Sequence, residues 1–382
     1  MNRLHLLKHG LRVSRKLLFV ELARRSRVFF STVSFDPSSA GIVVTNNCNS
    51  KCVACTQWHQ RSSDELSLEE IGELLLQLKR LGIRGITLTG GEPLLRKDLP
   101  DIVRKCSALG FEPIAVLTNG LLLRRELAEN LLQNGVTGIT VSLDGLKETN
   151  DRVRGIRGAF EEVVSALEML SELRDSSYRT TEIRAAMTLM RPTLDQTIPL
   201  ADVVRHLRVR MLLNLVNATP YLFRVDMTDL RIQDLDELNH VVDELHRLKS
   251  SYPALFTVSH THASFEYIRK YFQDPRRPDV ACILGHIGIH IGAHGDVYSG
   301  CLALEPLGNV RERSLKEIVS SPRYRRRLRD MFYKNCPGCS CDYLTNLAYH
   351  APWLWEEIVW TVRLRLSRVV RFLPSGSARP AG

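Results

Sequence analysis

Three of the chain's nine cysteines fall at Cys48, Cys52 and Cys55, a C-x3-C-x2-C spacing. The apolar run Gly41-Ile42-Val43-Val44 just before them reads as a buried strand, so they lie on the loop leaving its C-terminal end. Thiolates are soft ligands that favour iron–sulfur clusters or zinc. Three on one tight loop can grip three irons of a cubane and leave the fourth open to a chelating small molecule. A structural zinc ion would want a fourth ligand close by, and His59 is the only nearby candidate. A second group comprises Cys282, Cys301, Cys336, Cys339 and Cys341. Here the Cys336-Pro337-Gly338-Cys339 knuckle and two distant thiols can complete four-coordination of a cluster or a zinc ion. Cys106 stands alone on a predicted helix and reads as a buried small hydrophobe. Clustered thiols in a chain of 382 residues suit metal ligation better than a disulfide framework, which implies a reducing compartment.

The elements that must position these thiols follow from hydrophobic periodicity. Strands are predicted at 41–46, 85–89, 113–118, 137–143, 182–189 and 210–216. Helices are predicted at about 67–81, 98–109, 123–134, 158–174, 195–207 and 235–249, with a later one at about 314–320. Ser67, two residues before Glu69-Glu70, supplies a cap and an acidic first turn. Six strand–helix units predict an α/β fold with a parallel sheet, and chemistry then gathers at the C-terminal strand ends. Polar motifs stand at those ends: Thr89-Gly90-Gly91-Glu92-Pro93, Thr118-Asn119-Gly120, Ser142-Leu143-Asp144-Gly145 and Asp151-Arg152-Val153-Arg154-Gly155. Paired glycines allow close backbone approach to a ligand, and Glu92 offers a carboxylate for an ammonium group. Ser142 and Asp144, two apart, point to one side of an extended segment. Arg154 offers a bidentate partner for a carboxylate, or a surface ion pair.

In this order the motifs resemble those of the radical S-adenosylmethionine (SAM) superfamily, over roughly residues 41–345. The resemblance implies an open (β/α)6 partial TIM-type barrel. It implies a [4Fe–4S] cluster on Cys48, Cys52 and Cys55 whose open iron binds the amino and carboxylate groups of SAM. Reductive cleavage to a 5'-deoxyadenosyl radical and hydrogen abstraction from substrate follow. Gly90, Gly91, Glu92 and Pro93 match the motif that holds the SAM amino group. Asn119, Ser142 and Asp144 match positions that contact SAM or nearby substrate, Ser142 and Asp144 as ribose partners, and Arg154 is the candidate for the SAM carboxylate. One departure is Ala54, where many members carry an aromatic that packs on adenine; Trp58 is the nearest substitute, with core or surface packing as its alternative. Residues Cys282 to Cys341 resemble the SPASM/Twitch extension, carried by the Gly295-Asp296-Val297-Tyr298 hairpin signal, Leu307-Gly308-Asn309-Val310 and the late knuckle. Five cysteines imply one auxiliary [4Fe–4S] cluster, on Cys282, Cys301, Cys336 and Cys339, with Cys341 free or replacing one of them.

The implied organisation is a basic N-terminal helix at 1–40, the partial barrel at 41–250, the auxiliary-cluster domain at 251–345 and a C-terminal amphipathic helix and tail at 346–382. Residues 1–30 hold eight Lys/Arg against Glu21, and residues 351–382 hold five Arg against Glu356 and Glu357, so the ends carry the whole net charge of +10. Each basic amphipathic end reads either as a helix packed on the barrel or as one lying on an anionic membrane surface. No stretch is apolar for long enough to form a signal-peptide core or a membrane span. The basic residues alternate with large apolar ones rather than lining a polar groove, which argues against nucleic acid. His260 and His262, at i and i+2, read as a strand pair sharing one face. The expected partners are SAM, an electron donor such as flavodoxin or ferredoxin, and a small-molecule or lipid substrate. The expected place is the cytoplasm, with contact at the inner membrane face. The competing readings are a peptide-modifying enzyme of the same superfamily, and a non-catalytic iron–sulfur carrier or zinc-stabilised binding protein.

Overall fold

Along β1 (Ser39–Thr45), Ala40, Ile42 and Val44 are sunk in the main hydrophobic core, while Gly41 and Val43 face the other side of the sheet. The computed structural model describes residues 16–33, 35–59, 63–216, 228–274, 280–336, 339, 343–353, 355 and 357. A helix α1 at 16–25 precedes β1. The chain then alternates through α2 (Leu68–Arg80), β2 (Gly85–Gly90), α3 (Leu99–Ala108), β3 (Ile114–Thr118), α4 (Arg125–Gln133) and β4 (Gly138–Ser142). Two helices, α5 (Lys147–Arg154) and α6 (Ala159–Ser176), lead to β5 (Glu182–Leu189), α7 (Thr197–His206) and β6 (Arg210–Leu215). α2 begins where its sequence dictates. Ser67 accepts from Glu70 N while Glu70 accepts from Ser67 N, and Ile71, Leu74, Leu75 and Leu78 form the buried stripe.

Strands β1 to β6 pair in parallel in sequence order, as expected for a partial barrel. The sheet has eight strands rather than six. β7 (Gly288–Ile291), from the cysteine-rich C-terminal part, pairs in parallel with β1, and β8 (Val297–Tyr298) pairs antiparallel with β7. The auxiliary region thus continues the barrel wall beside the cysteine loop.

The opposite edge of the sheet, β6, is covered by side chains, which blunts its open backbone groups. His260 Nε2 accepts from Leu213 N at 2.9 Å, Tyr343 Oη donates to Leu213 O at 3.3 Å, and Tyr271 Oη donates to Val216 O at 2.8 Å. Burial holds His260 down at about 3, so its imidazole is neutral at physiological pH and free to accept that bond. The covering layer consists of α8 (Leu235–Ser251), α9 (His262–Gln273) and α13 (Tyr343–Leu347). This corrects the strand reading of His260 and His262. Thr261 is the cap of α9, accepting from Ser264 N, so the two histidines straddle a helix start. His262 Nδ1 meets His246 Nδ1 at 2.7 Å, and His246 Nε2 meets Glu266 at 2.8 Å. Among the described residues, no three metal-binding side chains close on an ion-sized point.

α1 packs elsewhere than expected. Val20 and Ala23 join Ala281, Ile283, Ile287 and Phe332 in a small separate core, so α1 lies on the auxiliary region rather than across the barrel. Phe332 ends α12 (Pro322–Phe332), which follows α10 (Leu284–Ile287) and α11 (Leu315–Ser320). Residues 1–15, Cys341 and most of the expected C-terminal helix lie outside the described residues. Of its tryptophans, Trp353 is buried edge-on against Tyr267 and Trp355 is exposed. No helix among the described residues is long and apolar enough to cross a membrane.

Candidate functional site

The cysteine loop is gripped from two sides by backbone. On one side, Gly91 N donates to Thr45 O and Glu92 N to Asn47 O, each at 2.8 Å. A Cβ on Gly91 would sit on the Asn47 carbonyl oxygen and 2.6 Å from Asn46 O, and one on Gly90 would strike Thr45 O. The paired glycines are therefore needed for approach to the cysteine loop itself, and not only to a ligand. On the other side, Lys51 N donates to Arg154 O at 3.1 Å and Val53 N to Val153 O at 2.9 Å. Gly155, at φ +66, ends α5 left-handed, and a Cβ there would lie 2.6 Å from Lys51 O.

Each thiol of the loop meets one N–H donor. Ser50 N points at Cys48 Sγ and Gln57 N at Cys55 Sγ, both at 3.4 Å, while Arg154 Nη1 lies 3.7 Å from Cys52 Sγ. Burial pushes Cys48 up to about 11 and Cys55 upward as well, with neighbouring thiols adding to both. Such thiols ionise at neutral pH only when a bound cation compensates them. The three sulfurs open on a cleft of about 210 Å³, lined also by Gly90, Gly91, Asn119, Ser142, Asp144 and Arg154. The donor set fits a thiolate-bound cluster, and the cleft leaves open space beside the three sulfurs.

Two expected ligand groups are placed differently. Glu92 is fully buried and spends both oxygens on the protein, accepting from Leu94 N (3.0 Å), Thr118 Oγ1 (2.7 Å) and Asn119 N (2.6 Å). It knots the β2 and β3 ends together instead of offering a carboxylate to an ammonium; burial pushes its pKa up against those donors. Neither Glu92 nor Pro93 lines the cleft; Pro93 starts a buried 3-10 turn. Asn119 lines it, but its amide nitrogen donates to Asn49 Oδ1 (2.7 Å) and Ser50 Oγ (3.0 Å) and its oxygen accepts from Leu121 N (3.1 Å).

Asp144 and Arg154 are not a free ribose partner and a surface cation. Asp144 Oδ2 pairs with Arg154 Nη2 at 2.6 Å, and Oδ1 accepts from Thr188 N at 2.6 Å. Only 15% of the Arg154 side chain and 4% of the Asp144 side chain are exposed. Burial opposes the charge on Arg154, but Asp144 and the Cys52 sulfur outweigh it and raise the guanidinium pKa. Arg154 Nε is buried without a hydrogen-bond partner, while the residue as a whole lines the cleft. Ser142 ends β4 on the cleft wall. Trp58 also lines the cleft, with Nε1 donating to Cys55 O at 2.9 Å, beside the small Ala54. Sequence reasoning missed Gln57 and Thr188; nothing in the spacing marks Thr188, whereas Gln57 follows Cys55 by two.

The second cysteine group also converges. Cys301 shares a hydrogen bond with Cys339, and both pack with Cys282, Leu284 and Met331. Burial pushes Cys282 up to about 12, with Cys339 and Cys336 adding to it. The hydrogen bond with Cys339, and then burial, raise Cys301 too. Three thiols packed together, with Cys336 close enough to act on Cys282, form a soft donor set that suits a thiolate-held cluster.

Comparison with known proteins agrees with this geometry. Residues 42–183 match the Radical SAM superfamily, and residues 282–342 match SPASM, an iron–sulfur cluster-binding domain. Fe-coproporphyrin III synthase of Methanosarcina barkeri is 39% identical over 131 residues, covering 34% of this chain and 33% of that protein. This chain therefore spans only about a third of that curated relative. The sporulation killing factor maturation protein SkfB of Bacillus subtilis is 28% identical over 84% of this chain and 72% of its own length. In fold, the chain resembles anSMEcpe with bound AdoMet and a peptide, at a TM-score of 0.59 and 17% identity, over 88% of this chain and 99% of that one. The two domain matches imply SAM, the [4Fe–4S] cluster that binds it and an auxiliary cluster. With the cysteine loop, the cleft and the converging C-terminal thiols in place, the chain belongs to the radical SAM superfamily and carries a C-terminal SPASM domain.

Proposed function

We propose that this chain is a hydrogen-abstracting enzyme, in which Cys48, Cys52 and Cys55 hold the SAM-binding cluster and Cys282, Cys301, Cys336 and Cys339 hold the auxiliary one. When bound, the cluster and SAM supply a 5'-deoxyadenosyl radical that takes a hydrogen atom from substrate. The carrying observation is the three thiols, each with its own N–H donor, opening on one cleft beside a buried guanidinium. The protein's own work is orientation and exclusion of water. Arg154, fixed by Asp144, lines the cleft and supplies a cation for an anionic ligand group. Ser142 offers a hydroxyl to a sugar, and Trp58 offers the aromatic face missing at Ala54. Anaerobic reconstitution with iron and sulfide, followed by dithionite and SAM, tests this: about eight irons and 5'-deoxyadenosine are expected. The Cys48→Ala/Cys52→Ala/Cys55→Ala variant is expected to keep about four irons and make none. Deoxyadenosine from that variant would overturn the reading.

Two substrate classes each have a supporting observation. The SkfB match runs through both domains, which supports action on a gene-encoded polypeptide. The alternative is a membrane-associated small molecule. Leu18, Val28 (81% exposed) and Phe29 present apolar surface beside Arg25 and Arg27, a pattern suited to an anionic bilayer interface. Co-sedimentation with phosphatidylglycerol vesicles is expected to fall at least severalfold in Val28→Glu/Phe29→Glu. Equal recovery of both proteins would remove the membrane reading and leave the polypeptide one.

A further inference from the structure

The hairpin between β7 and β8 places one auxiliary-domain side chain against the root of the cysteine loop. His294 Nδ1 lies 2.8 Å from Asp64 O, a carbonyl that can only accept, so Nδ1 carries the proton. In the neutral ring Nε2 is then an acceptor, and Asn46 Nδ2 donates to it at 3.2 Å. The other end of that amide, Asn46 Oδ1, accepts from Gln57 Nε2 at 2.7 Å. The backbone N–H of the same Gln57 points at Cys55 Sγ at 3.4 Å. A continuous run of hydrogen bonds thus leads from the auxiliary domain to the third cysteine.

A second strut runs alongside it. Asn46 N donates to Glu65 Oε1 at 2.7 Å, and Thr45 Oγ1 donates to the same oxygen at 3.0 Å. The 64–66 segment that carries Glu65 is itself held by the auxiliary domain, with Leu66 N on Ala293 O at 2.7 Å. Arg311 Nη1 adds a bond to Asp64 Oδ2 at 3.0 Å and Nε one to Glu70 at 2.7 Å. Both struts end on Asn46, whose carbonyl oxygen is also among the first atoms that a side chain on Gly91 would meet. The loop's shape is therefore set in part from outside the barrel.

We propose that His294 is a positioning residue for the SAM-binding cluster, through which the SPASM domain fixes Asn46 and Gln57 and so the N–H donor on Cys55. The inference rests on the reading that Cys48, Cys52 and Cys55 hold that cluster. Its physical content is that outer hydrogen bonds orient ligands and tune the metal; their loss typically lowers metal affinity or activity about 10- to 100-fold. A donor aimed at a cluster sulfur raises the reduction potential, so misplacing it lowers the potential.

The first test uses the full-length chain without cluster, by hydrogen–deuterium exchange. In His294→Ala, amides of residues 46–58 are expected to exchange severalfold faster, as loss of a part-buried hydrogen bond implies. Gln77→Ala removes a different bond of the same interface, from Leu315 N at 2.7 Å, and is expected to leave those amides at wild-type rates. After reconstitution, a redox titration of His294→Ala should find the SAM-binding cluster at a lower midpoint potential and the auxiliary cluster unmoved. His294→Gln, which keeps an acceptor in reach, should recover part of the shift. Wild-type exchange in this loop together with an unmoved midpoint would overturn the proposal. So would equal loosening in His294→Ala and Gln77→Ala, since that is what a merely structural interface predicts. The exchange measurement needs neither SAM nor turnover, so its outcome is independent of whether the enzyme makes deoxyadenosine.

Discussion

Gly91→Ala is expected to yield a folded chain that cannot hold iron at Cys48, Cys52 and Cys55. The added methyl would occupy the position of the Asn47 carbonyl oxygen and come 2.6 Å from the Asn47 carbonyl carbon and Asn46 O. All three are backbone atoms, so no rotamer change relieves the clash. The turn after β2 and the cysteine loop must part, which breaks the 2.8 Å bonds from Gly91 N to Thr45 O and from Glu92 N to Asn47 O. Each thiol then loses its fixed place. Iron counting after reconstitution should fall from about eight to about four per chain, because the auxiliary thiols are untouched. Gly158→Ala is the control. Gly158 also has a left-handed φ of +81, but a Cβ there meets nothing within 4 Å. It should cost about 1–2 kcal/mol of stability and no iron. Full iron in Gly91→Ala would show that the loop can move aside, and that the close approach is not required.

Much of this fold can be read from periodicity and spacing, because strongly patterned elements leave little choice. The buried stripe Ile71, Leu74, Leu75 and Leu78 and the Ser67 cap determine α2 to within a residue. The motifs at the ends of β1 to β4 do line one cleft. What sequence could not supply is what each polar group does once there. Glu92 reads as a free carboxylate, yet three donors converge on it from residues 94, 118 and 119. Asp144 and Arg154 read as two separate ligand contacts, yet the turn of α5 returns Arg154 to Asp144 at 2.6 Å. Contacts of this kind depend on how turns, helix ends and strand ends meet in the fold, and no local pattern encodes them. The same holds for β7. Its four residues, Gly288–Ile291, are too short for a periodic signal, and only pairing with β1 makes them a strand. His294 was invisible for that reason, since its neighbourhood exists only once the hairpin is docked. The histidines near α9 failed differently. Alternation at i and i+2 suits a strand, but Thr261 and Ser264 form a reciprocal cap that starts a helix.

Asp144→Ala should be the most destabilising single change at the cleft, by about 3–5 kcal/mol, because it strands a buried guanidinium. Asp144 Oδ2 is the only carboxylate oxygen paired with Arg154 among the described contacts, and its loss leaves the cation facing Cys52 Sγ at 3.7 Å. The change also removes the acceptor for Thr188 N, at 2.6 Å. Urea unfolding of the cluster-free chain measures the loss. The double variant Asp144→Val/Arg154→Met removes both charges and fills the same space with apolar groups, and replacing a buried pair this way is often close to neutral. Most of the lost stability should therefore return in the double variant, to within about 1–2 kcal/mol of wild type. SAM binding should not return with it. If Arg154 is the group that meets the SAM carboxylate, equilibrium binding by the reconstituted double variant stays at least tenfold weaker although the fold has recovered. Stability and ligand affinity then separate, which a purely structural ion pair would not produce. Recovery of both together would assign Arg154 to the scaffold and leave recognition of the carboxylate to the cluster.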